Sequence, residues 1–290
     1  MTSAAPTTAR RILVTGANRG LGYATALDLA AKGHNLLLAA RKPEDVGSLR
    51  GRILKRVPQA DVDVHPLDLA SFSSIRRFAA SDLCCKAPIQ VVLHNAGLVL
   101  PPPERQVTED GIEESLAVAA VGPLLLSLSL LPMLAQPSRL VGVNSALHAP
   151  QTYGDEVSFR FDDPQMESGY NPTRAYKNAK LAQLWFLFEW ERRFGSQGRH
   201  ADAVSPGFVP ATAALRAEGL QKFMLRFVFP LLPFAESLEE GVNAIVRTCQ
   251  EDLSAEGGRY FEGETMTLAS PDARSTELAG KFWALAEGWL

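Results

Sequence analysis

Between the apolar run Ile12-Leu13-Val14 and a helix-period stretch beginning at Leu21 lies Thr15-Gly16-Ala17-Asn18-Arg19-Gly20-Leu21-Gly22. Strand, glycine turn, helix: that order commits the start of the chain to a layered βαβ arrangement. It also leaves free backbone N–H groups at a helix N-terminus, where a dinucleotide's pyrophosphate can sit. Gly16 allows the tight turn, Gly20 a close approach to the phosphates, and Gly22 close packing of helix on strand. The spacing is G-x-x-x-G-x-G, and a glycine turn alone is a weak signal. Its meaning depends on what the rest of the chain supplies.

Beyond this unit, short runs of Val, Leu and Ile alternate with helix-period segments, the pattern of parallel strands with crossover helices. Strands are expected near Ile12–Thr15, Asn35–Ala40, Val62–His65, Ile89–His94, Leu140–Asn144 and Asp202–Ser205, with Arg259–Phe261 a weaker seventh. Helices are expected over Gly20–Lys32, Ser71–Ser81, Asp110–Leu134, Thr173–Phe194, Leu238–Glu251 and Thr276–Trp289. No repeat or linker divides the chain. The reading is α/β: a single-domain Rossmann fold over residues 12–290, with a doubly wound, mostly parallel seven-stranded sheet and helices on both faces. Residues 1–11 read as a flexible tail.

The 290 residues carry 29 Lys and Arg against 32 Asp and Glu, a formal net charge of −3. That balance supplies no basic field for nucleic acid or an anionic membrane. The N-terminus lacks the apolar core of a signal peptide, and no uninterrupted apolar run reaches the length of a membrane span. Cys84 and Cys85 are adjacent and Cys249 stands apart. They form neither a disulfide framework nor a metal-ligand spacing, so no metal is expected and a reducing, cytoplasmic setting is.

The strand ends carry the chemistry. Arg41 and Lys42 follow the second strand, where an acidic residue commonly binds the adenosine ribose; with Arg19 they favour a 2′-phosphate, hence NADP(H). The alternative is that they open a solvated loop. Asp68-Leu69 follows the third strand, and Asp68 either accepts from an adenine amino group or caps the helix near Ser71. In His94-Asn95-Ala96-Gly97, small residues leave room for a flat cofactor, Asn95 can tie neighbouring loops together, and His94 reads as an ordinary strand-end residue. Tyr176 and Lys180, four apart, share one face of an apolar helix. A phenol with a pKa of about 10 transfers protons poorly at neutral pH, and a nearby ammonium is expected to lower it. Ser145, just past the fifth strand, can donate to a carbonyl oxygen beside that phenol.

Together these pieces resemble the short-chain dehydrogenase/reductase family, from Arg11 to about Thr212 and more weakly to the C-terminus. Thr15–Gly22, Asp68-Leu69, Asn95–Gly97, Ser145, Tyr176-x-x-x-Lys180 and Pro206-Gly207-Phe208-Val209 occur in the family's order. The stretch Ala175–Ala182 and the long gap from Ser145 to Tyr176 look like the retinol dehydrogenase and light-dependent protochlorophyllide reductase branch. The resemblance implies Tyr176 as general acid/base, Lys180 as the group that tunes it and holds the nicotinamide ribose, and Ser145 as the holder of the substrate carbonyl. It implies cofactor contacts from Gly16, Asn18, Arg19, Gly20, Leu21, Gly22, Asp68, Leu69, Asn95, Ala96, Gly97, Pro206, Gly207 and Val209. Hydride then passes between nicotinamide and a carbonyl or alcohol carbon.

The sequence also departs from the family pattern. Ala119 stands where a catalytic asparagine is usual, in Val118-Ala119-Ala120-Val121-Gly122-Pro123. Pro123 has no N–H and clashes with the carbonyl four residues back, so a kink freeing the Ala119 carbonyl for a water is expected. Asn144 replaces a serine beside Ser145, His94 replaces an asparagine, and Thr212 lies one residue late. An insertion over about 146–175, holding His148, Tyr153, Phe159, Phe161, Met166 and Tyr170, is expected to flank the site and obstruct a helix-to-helix dimer. A monomer is therefore expected, with a homodimer the alternative. A lid over about 211–237, including the apolar run 223–234, implies a bulky apolar or aromatic carbonyl or alcohol; core packing or membrane-surface attachment are its alternatives. Rival functions are a catalytically silent NADP(H)-binding protein, suggested by Ala119, and reduction of a tetrapyrrole double bond.

Overall fold

The computed structural model describes residues 9–149, 159–210 and 235–290. In chain order it runs β1 (Arg11–Thr15), α1 (Gly20–Ala31), β2 (Asn35–Ala40), α2 (Pro43–Arg56), β3 (Val62–Pro66), α3 (Phe72–Ala79) and α4 (Asp82–Cys85). Then come β4 (Ile89–His94), α5 (Glu114–Leu116), α6 (Gly122–Leu130), β5 (Leu134–Val143), α7 (Pro172–Phe194) and β6 (Arg199–Ser205). After residues 211–234 follow α8 (Leu238–Gln250), β7 (Tyr260–Glu262), β8 (Thr265–Thr267) and α9 (Thr276–Glu287).

The strands form one sheet in the order β3-β2-β1-β4-β5-β6-β7-β8, parallel except for the β7–β8 pair. Apolar residues on both faces of the sheet explain the near-continuous Val/Leu/Ile runs. On one face Leu13, Val92 and Leu140 pack with Phe78, Leu124, Trp185 and Phe282 of the helices. On the other, Ile12, Val14 and Val141 pack with Leu29, Ile53 and Ile245. The strand order reverses between β1 and β4, and ligands of open α/β sheets bind at the C-terminal strand ends beside such a switch.

Several expectations change. Among the described residues the sheet has eight strands, because Gly263 (φ 57°) turns the chain into the short, exposed β8. Helix α2 was not expected; Gly47 and Gly51 dilute its pattern, although Pro43 opens it, Glu44 and Asp45 lie in its first turn, and Lys55 and Arg56 in its last. Strand β5 begins at Leu134, well before Leu140. Arg10 and Arg11 do not belong to a tail: Arg10 is buried and donates to the Cys249 and Glu251 carbonyls, and Arg11 opens β1.

The helix expected over Asp110–Leu134 is broken. A π-helical turn, Ala117–Val121, separates α5 from α6, with the Gly122 N–H bonded five residues back to the Ala117 carbonyl. In that register the next acceptor is the Val118 carbonyl, and its donor would be Pro123, which has none. The Ala119 carbonyl, four residues before Pro123, is denied the same donor. The run Glu114–Met133 is long and apolar enough to cross a membrane, yet most of it is buried in this core. Phe159, Phe161 and α9 cover α7, with Phe161 stacked on Trp185 at 5.7 Å and the Arg193 guanidinium over Trp283 at 4.5 Å. Tyr153, Thr212 and the run 223–234 lie outside the described residues.

Candidate active site

A cleft of about 1610 Å³ runs across the C-terminal ends of the strands, lined from the glycine turn at one end to Tyr176, Ser145 and Glu262 at the other. Every residue singled out above as a cofactor contact or catalytic group lines it. Ala119 and His148 do not.

At the glycine turn, Gly16 (φ 67°) and Gly20 (φ 56°) hold left-handed conformations that a side chain resists. A Cβ at Gly22 would run into the Asn95 amide and the Gly16 carbonyl. That amide donates to the Thr15 carbonyl at 2.9 Å and to the Gly16 carbonyl at 3.2 Å. The Thr15 hydroxyl donates to the Leu93 carbonyl and accepts from the Asn95 and Ala96 N–H groups. The tips of β1 and β4 are therefore clamped together, and the tying role expected of Asn95 is realised.

Farther out, Arg19, Arg41 and Lys42 are exposed at the cleft wall. Asp45 of α2 joins them and accepts from the Asn18 amide at 2.9 Å, while Arg52 donates to the Asn18 carbonyl. The Asp68 carboxylate accepts from Ala70 N at 3.0 Å, and the cap of α3 is Ser71, not Asp68. His94 is buried, bonded to the Ser127 hydroxyl and pushed down by burial to about 3, which keeps it neutral and structural.

At the other end, Asn171 caps α7 by accepting from Arg174 N, so the helix enters with Tyr176 and Lys180 in its first turns and on one face. Ser145 and Tyr176 line the cleft together, and the Ser145 hydroxyl acts on the phenol to draw it down. The Lys180 ammonium donates to the Val143 carbonyl at 2.7 Å and lies 5.9 Å from the Tyr176 ring centre. Burial pushes Lys180 down to about 8, so it remains mostly charged at neutral pH. The expected lowering of the phenol is not what this arrangement gives. Burial raises Tyr176 above its ordinary value and outweighs the opposing effect of the Ser145 hydroxyl.

Sequence reasoning registered Asn144 only as a departure, and the structure gives it a task. Its Oδ1 accepts from Ser145 N at 2.8 Å, and its Nδ2 donates to the Lys180 carbonyl and to Gln183 Oε1, both at 2.9 Å. One buried amide thereby fixes the Ser145 loop to the helix that bears Tyr176 and Lys180. Gln183, Tyr260 and Glu262 were missed. Tyr260 and Glu262 share a face of β7 beside this site, and the Tyr260 phenol, raised by burial, interacts electrostatically with Tyr176.

The residues present fit a nicotinamide dinucleotide: a glycine turn held open to phosphates, small residues at Asn95–Gly97, and a lysine and phenol at the far end. The family model for short chain dehydrogenases matches residues 10–151. Retinol dehydrogenase 13 of Homo sapiens is 32% identical over 283 residues, covering 95% of this chain and 82% of that protein. This chain belongs to the short-chain dehydrogenase family. Within it, the chain falls on the retinol dehydrogenase branch of these oxidoreductases. This short-chain dehydrogenase is also similar to the WW domain-containing oxidoreductase of Danio rerio, 32% identical over 284 residues, 95% of this chain and 67% of the relative. A solved structure of an uncharacterised protein from Mycobacterium Paratuberculosis superposes with a TM-score of 0.74 at 27% identity, covering 98% of this chain and 94% of that one.

Proposed function

We propose that this short-chain dehydrogenase is an NADPH-dependent reductase of bulky apolar or aromatic aldehydes and ketones, able to run in reverse as an alcohol dehydrogenase. The observation that carries the reading is that Ser145, Tyr176 and Lys180, one helical turn on, line the same cleft as the glycine turn. When bound, the nicotinamide supplies or receives the hydride. The chain's own residues handle the proton and the orientation. Ser145 donates to the substrate oxygen, and Tyr176 delivers the proton that the new alkoxide needs. A phenol held above its ordinary value by burial is protonated at neutral pH, which suits the reducing direction. Lys180, still charged there, stabilises the phenolate left behind and is placed to hold a ribose hydroxyl.

The relatives named retinol dehydrogenases make all-trans-retinal the first probe, beside aryl aldehydes and ketones. Loss of NADPH absorbance with any of them supports the reading. Binding of NADPH without turnover across the panel favours the silent-protein alternative that Ala119 suggests.

For cofactor choice, Arg19, Arg41 and Lys42 supply positive charge that a 2′-phosphate would meet, while Asp45 has its carboxylate engaged by Asn18. Replacing Arg41 and Lys42 together by alanine is expected to weaken NADPH binding about tenfold or more, since charge-assisted bonds to an anion are lost. NADH binding should hardly change. Fluorescence titration of both cofactors measures this, and equal wild-type affinities for the two would contradict the preference.

A further inference from the structure

His148 lies just behind the site, buried and off the cleft wall. Both of its ring nitrogens are engaged. Nδ1 is 2.8 Å from the Ser145 carbonyl oxygen and Nε2 is 3.1 Å from the Ser270 backbone nitrogen. A backbone N–H can only donate, so Nε2 accepts, and the proton sits on Nδ1, where it is donated to Ser145. The ring also meets Tyr260 edge to face, centroids 5.1 Å apart. On the other side of Ser145, its N–H is held by Asn144. Ser145, which shares the cleft wall with Tyr176, is thus gripped through its N–H by a side chain tied to α7, and through its carbonyl by one tied to the segment after β8.

We propose that His148 is a positioning residue, whose neutral Nδ1–H form, fixed by the Ser270 N–H, holds Ser145 so that its hydroxyl faces the Tyr176 phenol. The consequence for turnover rests on the reductase reading; the effect on the phenol does not. The Ser145 hydroxyl draws the phenol down against the burial that raises it, so a displaced Ser145 leaves the phenol higher still. Other groups facing this pair are Lys180 on α7 and Tyr260 and Glu262 on β7, and none of them changes in the variants below.

The test compares wild type, His148→Asn and His148→Leu. Asparagine places an N–H where Nδ1–H stands, whereas leucine fills the space without a donor. Ionisation of Tyr176 is followed by NMR of the protein labelled at the tyrosine Cζ, the signal being assigned by its loss in Tyr176→Phe. Leucine is expected to move ionisation up by about one pH unit, a tenfold change in the constant, while asparagine stays near wild type. If the leucine variant does not fold, His148→Gln, whose amide reaches toward Ser270 rather than Ser145, is expected to shift upward in its place. In a substrate assay the donor-less variant should lose roughly 10- to 100-fold in kcat, with NADPH affinity unchanged.

The proposal is overturned if leucine, or glutamine in its place, leaves the phenol where wild type has it, or if asparagine shifts it as far as that variant does. The expected NMR pattern without turnover in wild type would support the positioning role while defeating the reductase reading.

Discussion

Tyr176→Phe is expected to lower turnover by about three orders of magnitude, within the range a positioned proton donor supplies, while NADPH binds as in wild type. The phenol oxygen is the atom removed, and the ring keeps its place beside Lys180, 5.9 Å from the ammonium. Ser145 keeps its backbone grip on Asn144 and His148. A steady-state assay paired with cofactor fluorescence titration separates the two effects. A variant that retained a tenth or more of the wild-type rate would mean that the proton comes from elsewhere. A variant that lost NADPH binding as well would mean that Tyr176 serves the cofactor more than the chemistry.

The second large effect concerns stability. Asp202 of β6 has a fully buried side chain and pairs with Arg139, which is equally buried, and with Arg259 at 2.8 Å. It also accepts from Arg259 N at 3.0 Å. Arg139 spans onward to the Asp252 and Ala255 carbonyls at 2.7 and 2.5 Å, and Arg259 to Glu251 at 2.8 Å. The cluster thereby ties the loop after α8 to the middle of the sheet, away from the cleft. Asp202→Asn removes the buried anion and leaves the Arg139 charge facing a neutral amide. The expected cost is about 3–5 kcal/mol, because an uncompensated charge stays buried. Urea unfolding measures it, and NADPH affinity of the folded fraction should remain near wild type. A loss under about 1 kcal/mol would mean that water or a neighbouring group already compensates Arg139.

Much of this was legible before any coordinates. The alternation of apolar runs and helix-period segments sufficed for the parallel sheet, since strands covered on both faces must be apolar throughout. The glycine turn and the Tyr176–Lys180 spacing are local, and their geometry follows from a turn and a single helix. What escaped was of two kinds. Helix α2 and strand β8 carry weak patterns, one interrupted by Gly47 and Gly51, the other three residues long and exposed. The supports of Ser145 come from residues far apart in sequence: Gln183 on α7, Tyr260 on β7 and the Ser270 N–H, none marked by any local motif. The pKa of Tyr176 escaped for a related reason. Its direction depends on how deeply the phenol is buried, which spacing alone does not reveal.

A break near Pro123 is legible in the sequence, whereas its π-helical form is not. The chain takes a π turn just before the proline, so that the Val118 and Ala119 carbonyls both lack the donor Pro123 cannot supply, with Val118 on the cleft wall.

The most direct measurement is label transfer: NADPH deuterated at the transferable C4 position, incubated with all-trans-retinal and the aldehyde and ketone panel, with the alcohols read by mass spectrometry. The account predicts deuterium on the new carbinol carbon with wild type and a thousandfold-slower appearance, by order of magnitude, with Tyr176→Phe. Tight NADPH binding with no labelled alcohol from any member of the panel would contradict it.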